Sequence, residues 1–118
     1  MSTIVINATH GPEDPERATL PFVVGNVAAS AGQRAIVLLT IDGAWLATTR
    51  ADAVTAKGLP PLPEVVRQFV SAGGEIWACG ACTTPRGITD ADMRDGARIV
   101  SAMQVVEELS AAARTLSF

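Results

Sequence analysis

The chain predicts an α/β domain built on a mostly parallel sheet of about five strands, with helices on both faces. Three observations carry this expectation. Thr3–Ala8 and Arg34–Ile41 are β-branched, nearly continuous apolar runs, as strands covered on both faces require. Such runs alternate with helical periods, in the order β-α-β-α-α-β-loop-β-α-β, and that alternation favours parallel pairing through right-handed crossovers. The 118 residues, 48% of them hydrophobic and only 4% aromatic, suffice for one domain with an aliphatic core.

Thr9-His10-Gly11-Pro12 ends the first strand. Asp14 is placed to cap a helix with Pro15 at its first position, and Glu16 suits the positive end of the helix dipole. The helix is expected to reach Ala31, with Leu20, Val23, Val24 and Val27 on its inner face and Pro21 as a kink or delay. After the second strand, Asp42-Gly43 turns the chain and Ala44–Thr48 forms a short helix. Arg50–Pro61 reads as an irregular loop. Leu62–Ala72 is amphipathic, with Leu62, Val65, Val66, Phe69 and Val70 at helical spacing.

Gly73-Gly74 then starts a turn, and Glu75–Ala78 reads as a short buried strand. A loop with both cysteines follows, and Thr89 and Asp92 have the spacing of a helix capping box. Arg98–Ser101 is a short strand, Met103–Ala113 a helix through Val105, Val106, Leu109 and Ala113, and Arg114–Phe118 a final strand.

Cys79 and Cys82 form a C-x-x-C pair, and Cys79 ends a strand of an open α/β sheet, where such folds bind ligands. In a cytosolic chain this spacing reads as redox chemistry, sulfur handling or half of a metal site. The alternative is that both thiols are small buried hydrophobes. A zinc site is disfavoured, because two Cys and one His fall short of four ligands. His10 and Asp42 follow the first and second strands and are candidates for the same rim, against a surface histidine and a helix cap as the plainer readings. Trp45 reads first as packing and otherwise as a pocket wall. Arg86 is a candidate for positive potential beside the thiols, or an ordinary surface arginine.

Net charge is −3, with no basic stripe and few aromatics to stack bases, which argues against nucleic-acid binding. No apolar run reaches membrane-span length and no secretory signal is visible, so a cytoplasmic chain with reduced thiols and no cofactor is expected.

The chain resembles the DsrE/DsrF-like family of small sulfur-relay proteins over nearly its full length, as a single domain 1–118. Four stretches carry the resemblance: the Asp14-Pro15-Glu16-Arg17-Ala18 helix start, Ile41–Ala47, Gly74–Cys82 running on to Arg86-Gly87-Ile88, and Asp95–Val100. The resemblance implies a flavodoxin-like three-layer α/β/α sandwich that assembles as a homo-oligomer, a trimer or hexamer. It implies that Cys79 accepts sulfane sulfur as a persulfide from a donor protein and passes it to an acceptor. Cys82 departs from the one-cysteine pattern of the relay members. A second thiol there could resolve a persulfide or close a disulfide, as in a thiol-disulfide, peroxiredoxin-like protein. A non-catalytic oligomeric domain that binds a small ligand is the third reading.

Overall fold

The computed structural model describes residues 2–111 and 113–118. In chain order these form β1 (Thr3–Ala8), α1 (Pro15–Ser30), β2 (Arg34–Leu39), two consecutive 3₁₀ segments (Ile41–Ala47 and Thr49–Ala53), α2 (Leu62–Ser71), β3 (Glu75–Cys79) and a short α3 (Gly80–Thr83). After two more 3₁₀ turns come β4 (Ala97–Val100), α4 (Ala102–Ser110) and β5 (Arg114–Ser117). The five strands are all parallel and lie in the order β4-β3-β2-β1-β5. The first three crossovers step the same way across the sheet, and the last returns the other way. With right-handed connections this puts α1 and α2 on one face and α4 on the other.

Strand alternation sorts the core accordingly. Ile6, Val37, Leu39, Ile76 and Ala78 pack under α1 and α2, while Val5, Ile36, Leu38, Trp77 and Val100 form the smaller cluster under α4. Between α1 and α2, Phe22 and Phe69 meet edge to face with ring centroids 5.9 Å apart. Gly25 permits that approach, since a Cβ there would come within 2.9 Å of Phe69 Cε1.

The inner face of α1 differs from the one expected. Ala18, Phe22 and Gly25 are buried, whereas Val27 is 67% exposed. The helix is apolar on nearly every side, so periodicity could not choose its face. It also continues through Pro21. The carbonyl that loses its partner there belongs to Arg17, which is exposed and open to water. The second strand stops at Leu39, two residues early, because Ile41 adopts φ 54° and starts a 3₁₀ segment. The expected loop, Arg50–Pro61, begins instead inside a further 3₁₀ turn, Thr49–Ala53, capped by Thr48, whose hydroxyl oxygen accepts from the Arg50 N–H.

On the opposite face, α4 contacts the sheet through Val105, with Ala113 beyond its end. Val106 and Leu109, expected to share that inner stripe, are 57% and 40% exposed, in line with Met103 at 68%. Ala112, inside the expected helix, lies outside the described residues. A charged cluster pins α4 instead. Arg34 donates from Nε to Glu75 Oε2 at 2.8 Å and from Nη1 to Glu108 Oε1 at 2.6 Å. These carboxylates, Glu75 first, hold the Arg34 guanidinium firmly protonated.

Candidate functional site

The carboxyl ends of β1, β2 and β3 form one rim, and tight backbone packing joins the first two. A Cβ on Gly11 would collide with the Asp42 carbonyl, and one on Gly43 with the Ala8 carbonyl. Only glycine lets the loop after β1 press against the segment after β2. Ile41, a β-branched residue with positive φ, stands just before this junction. Such a conformation costs on the order of 1–3 kcal/mol and persists only when its surroundings enforce it.

Cys79 closes β3 and is the N-cap of α3, with φ −69° and ψ 123°. The cysteine segment, expected as a loop, is therefore helical from Gly80 onward. Gly80 has no unusual φ, so conformational freedom does not explain it. It provides space, because a Cβ would lie 3.3 Å from the Val100 carbonyl oxygen on the neighbouring strand. Cys82 falls one turn along α3. Residues at this helical spacing have Cβ atoms about 5–6 Å apart, whereas a disulfide holds its Cβ atoms about 3.5–4.5 Å apart, so bridging requires the turn to tighten. Both cysteines are free thiols and both are half-buried. Alternation along β3 puts Ala78 on the α1–α2 face and Cys79, like Trp77, on the α4 face, opposite Val100 in the register.

Arg86 ends the 3₁₀ turn that follows α3, and Gly87, with φ 68°, terminates it. The Arg86 guanidinium donates from Nε and Nη2 to Asp42 Oδ1 at 3.2 and 3.0 Å, and from Nη1 to the Cys82 carbonyl at 3.1 Å. It thus ties the segment after β2 to the cysteine turn after β3. Beside it opens a cleft of about 480 Å³ lined by Trp45, Arg50, Arg86, Ile88 and Asp92 among others. The Arg50 guanidinium lies over the Trp45 ring, 3.9 Å from its centroid.

Of the residues nominated from sequence, Asp42, Trp45 and Arg86 come together. Trp45 is half-buried and walls the cleft, so packing alone does not describe it. Neither thiol lines this cleft; Cys82 joins it only through its carbonyl. His10 stands apart, with Nδ1 3.1 Å from Glu13 Oε2, and does not share the cleft with Arg86. Arg50 was missed by sequence reasoning, since its place over Trp45 depends on two 3₁₀ turns that leave no 3.6-residue signature. No three His, Cys, Asp or Glu side chains among the described residues are grouped as a metal set, and no described helix is long and apolar enough to cross a membrane.

Fold and site together define a parallel α/β domain carrying a dithiol at the carboxyl rim of its sheet. The chain belongs to the DsrE/DsrF-like family, whose model matches residues 2–118. The family points to a sulfur-relay type of role. Among curated proteins the chain is 31% identical over 107 residues to the uncharacterized protein MJ0760 of Methanocaldococcus jannaschii, covering 90% of this chain and 38% of that protein. The chain thus spans well under half the length of that relative. It is 24% identical over 106 residues to the uncharacterized protein MK0008 of Methanopyrus kandleri, covering 90% of this chain and 85% of that one. The fold is shared with the protein of unknown function MTH1491 from Methanobacterium thermoautotrophicum, at TM-score 0.78, 16% identity and full coverage of both chains. It is shared also with the ychN protein from E. coli, at TM-score 0.71, 17% identity and full coverage of both. The flavodoxin-like sandwich expected from sequence agrees with these likenesses.

Proposed function

We propose that the protein is a cysteine-based sulfur carrier, sulfurtransferase-like in its chemistry, with Cys79 as the sulfur-accepting residue. The observation that carries this reading is the position of Cys79. It closes β3 at the carboxyl rim, caps the helical turn that follows, and remains half exposed to a donor. The Cys79 thiolate attacks the outer sulfur of a donor persulfide. A new S–S bond forms on Cys79, the donor's S–S bond breaks, and the donor leaves as a thiolate. Transfer to an acceptor thiolate is the same exchange in reverse.

A second reading draws on the helical turn that carries Cys82 one turn beyond Cys79, with the turn tightening to bring the sulfurs together. The Cys82 thiolate then attacks the inner sulfur of the Cys79 persulfide. A Cys79–Cys82 disulfide forms, hydrosulfide leaves, and an external dithiol must reduce the pair before another cycle. In this mode the protein works as a thiol-disulfide device.

Alkylation of single-cysteine proteins tests the assignment. The Cys82→Ser protein, which keeps Cys79, is expected to react with iodoacetamide faster at neutral pH than the Cys79→Ser protein. Faster reaction of Cys82 would reverse the assignment.

The same reading includes a cytoplasmic homo-oligomer, a trimer or hexamer by family resemblance. The outward stripe of Met103, Val106 and Leu109 on α4, and Leu116 on edge strand β5, support assembly by leaving apolar surface uncovered. Light scattering at micromolar concentration is expected to give a mass above one chain, and a monomer would contradict it.

A further inference from the structure

We propose that the cleft between Trp45, Arg50 and Arg86 binds the oxyanion group of a small molecule. This inference is separate from the thiol chemistry, since neither thiol lines the cleft. Two arginines line the cavity, and the single acidic residue in its lining among the described residues is already engaged. Asp92 Oδ2 accepts from the Thr89 N–H at 2.8 Å and from its hydroxyl at 3.2 Å.

The two arginines are held in different ways. Arg86 spends three of its five N–H groups on Asp42 and on the Cys82 carbonyl, which leaves two without a partner among the described residues. Arg50 makes no ion pair among the described residues; those of the other arginines go to Asp14, Glu75, Glu108, Asp42 and Asp52. Its position comes from stacking on Trp45 and from its own N–H bonded to Thr48 Oγ1. Stacking occupies the face of a guanidinium and leaves its edge donors free, in the fork geometry that matches a carboxylate or phosphate. A side chain fixed in advance loses less entropy when an anion arrives.

Size and place agree with a small ligand. About 480 Å³ lies within the range of small-molecule sites, roughly 300–1,000 Å³. The cleft opens beside segments that leave the carboxyl ends of β2 and β3, where open α/β sheets receive ligands. The ligand's anion would lie between the two guanidinium groups, with its apolar part against Trp45 and Ile88.

The test is titration of the full chain carrying Cys79→Ser and Cys82→Ser, so that sulfur chemistry cannot enter. Succinate, inorganic phosphate and thiosulfate serve as separate probes, and neutral succinamide as the uncharged control. The readout is the Trp45 indole N–H resonance, identified by its loss in Trp45→Phe. Saturable shifts with at least one anion and none with succinamide are expected, and the preferred anion tells a carboxylate ligand from a phosphate or sulfur oxyanion. Arg50→Gln, an exposed change that leaves the ion pairs intact, is expected to weaken binding by about tenfold or more, the loss of a charge-assisted contact. Arg67→Gln, on the exposed face of α2, is expected to leave it unchanged. Absence of saturation with all three anions would overturn the proposal, as would equal weakening by Arg50→Gln and Arg67→Gln.

Discussion

Arg86 and Asp42 meet across the carboxyl rim of the sheet, 44 residues apart in sequence, with Nη2 and Oδ1 3.0 Å from each other. Through this pair the turn that carries both cysteines is fastened to the segment that follows β2. The side chains are 23% and 48% exposed, so water screens much of their attraction. A double-mutant cycle of Arg86→Gln and Asp42→Asn is expected to give a coupling of about 0.2–1 kcal/mol by urea unfolding. Coupling indistinguishable from zero would mean that the pair does not hold the turn.

Gly43 is expected to be intolerant of any side chain. A Cβ there collides with the Ala8 carbonyl, which belongs to a central strand and cannot move aside. Gly43→Ala should lower stability by about 3 kcal/mol, at the upper end of overpacking costs. Denaturant titration checks this, and a loss below about 1 kcal/mol would show that the rim is looser than described.

Ile41 holds φ 54°, a conformation that disfavours β-branched residues, and the residue is 53% exposed. Ile41→Gly therefore relieves strain while giving up little burial, and the added freedom of glycine in the unfolded chain offsets part of the gain. A net stabilisation of about 1 kcal/mol is expected, seen as a rise of a few degrees in Tm. A lower Tm would show that the Ile41 side chain contributes packing that outweighs its strain.

Acid unfolding is expected to report the cap of α1. The Arg17 backbone N–H, with help from its guanidinium, holds the Asp14 carboxyl below its ordinary value of 3.8. A carboxyl lowered in the folded state adds stability that is complete above the ordinary value. That stability is lost as pH falls through the folded one. The stability advantage of wild type over Asp14→Asn should shrink as pH falls below about 4. A difference that stays unchanged below about pH 4 would contradict this origin.

The strands were legible because buried parallel strands declare themselves as β-branched runs, and Thr3–Ala8 was read to the residue. Helix α2 was legible for the complementary reason, a clean apolar stripe on a polar helix. Helix α1 defeated the same reasoning, since apolar residues surround it and Val27 could not be told from Phe22 by spacing. Val106 and Leu109 on α4 resisted for a related reason, because a helix that covers one sheet face alone buries only a narrow strip. At the site, Asp42 was marked as a rim residue by its place after the second strand, and Arg86 as a source of positive potential by its place in the cysteine segment. What spacing could not reveal was the partner of each, nor that Cys79 lies on the α4 face while Trp45 and Arg50 wall a separate cleft. Those facts depend on strand parity and on two 3₁₀ turns.

The central claim is that Cys79 takes up sulfane sulfur. Intact-mass measurement after incubation with a persulfide donor tests it most directly, on wild type, Cys79→Ser and Cys82→Ser. The account predicts that Cys82→Ser gains one sulfur atom and that Cys79→Ser gains none. Wild type should either gain the same atom or, where Cys82 resolves the persulfide, lose two hydrogens as hydrosulfide departs. Uptake of sulfur by Cys79→Ser with none by Cys82→Ser would contradict the account.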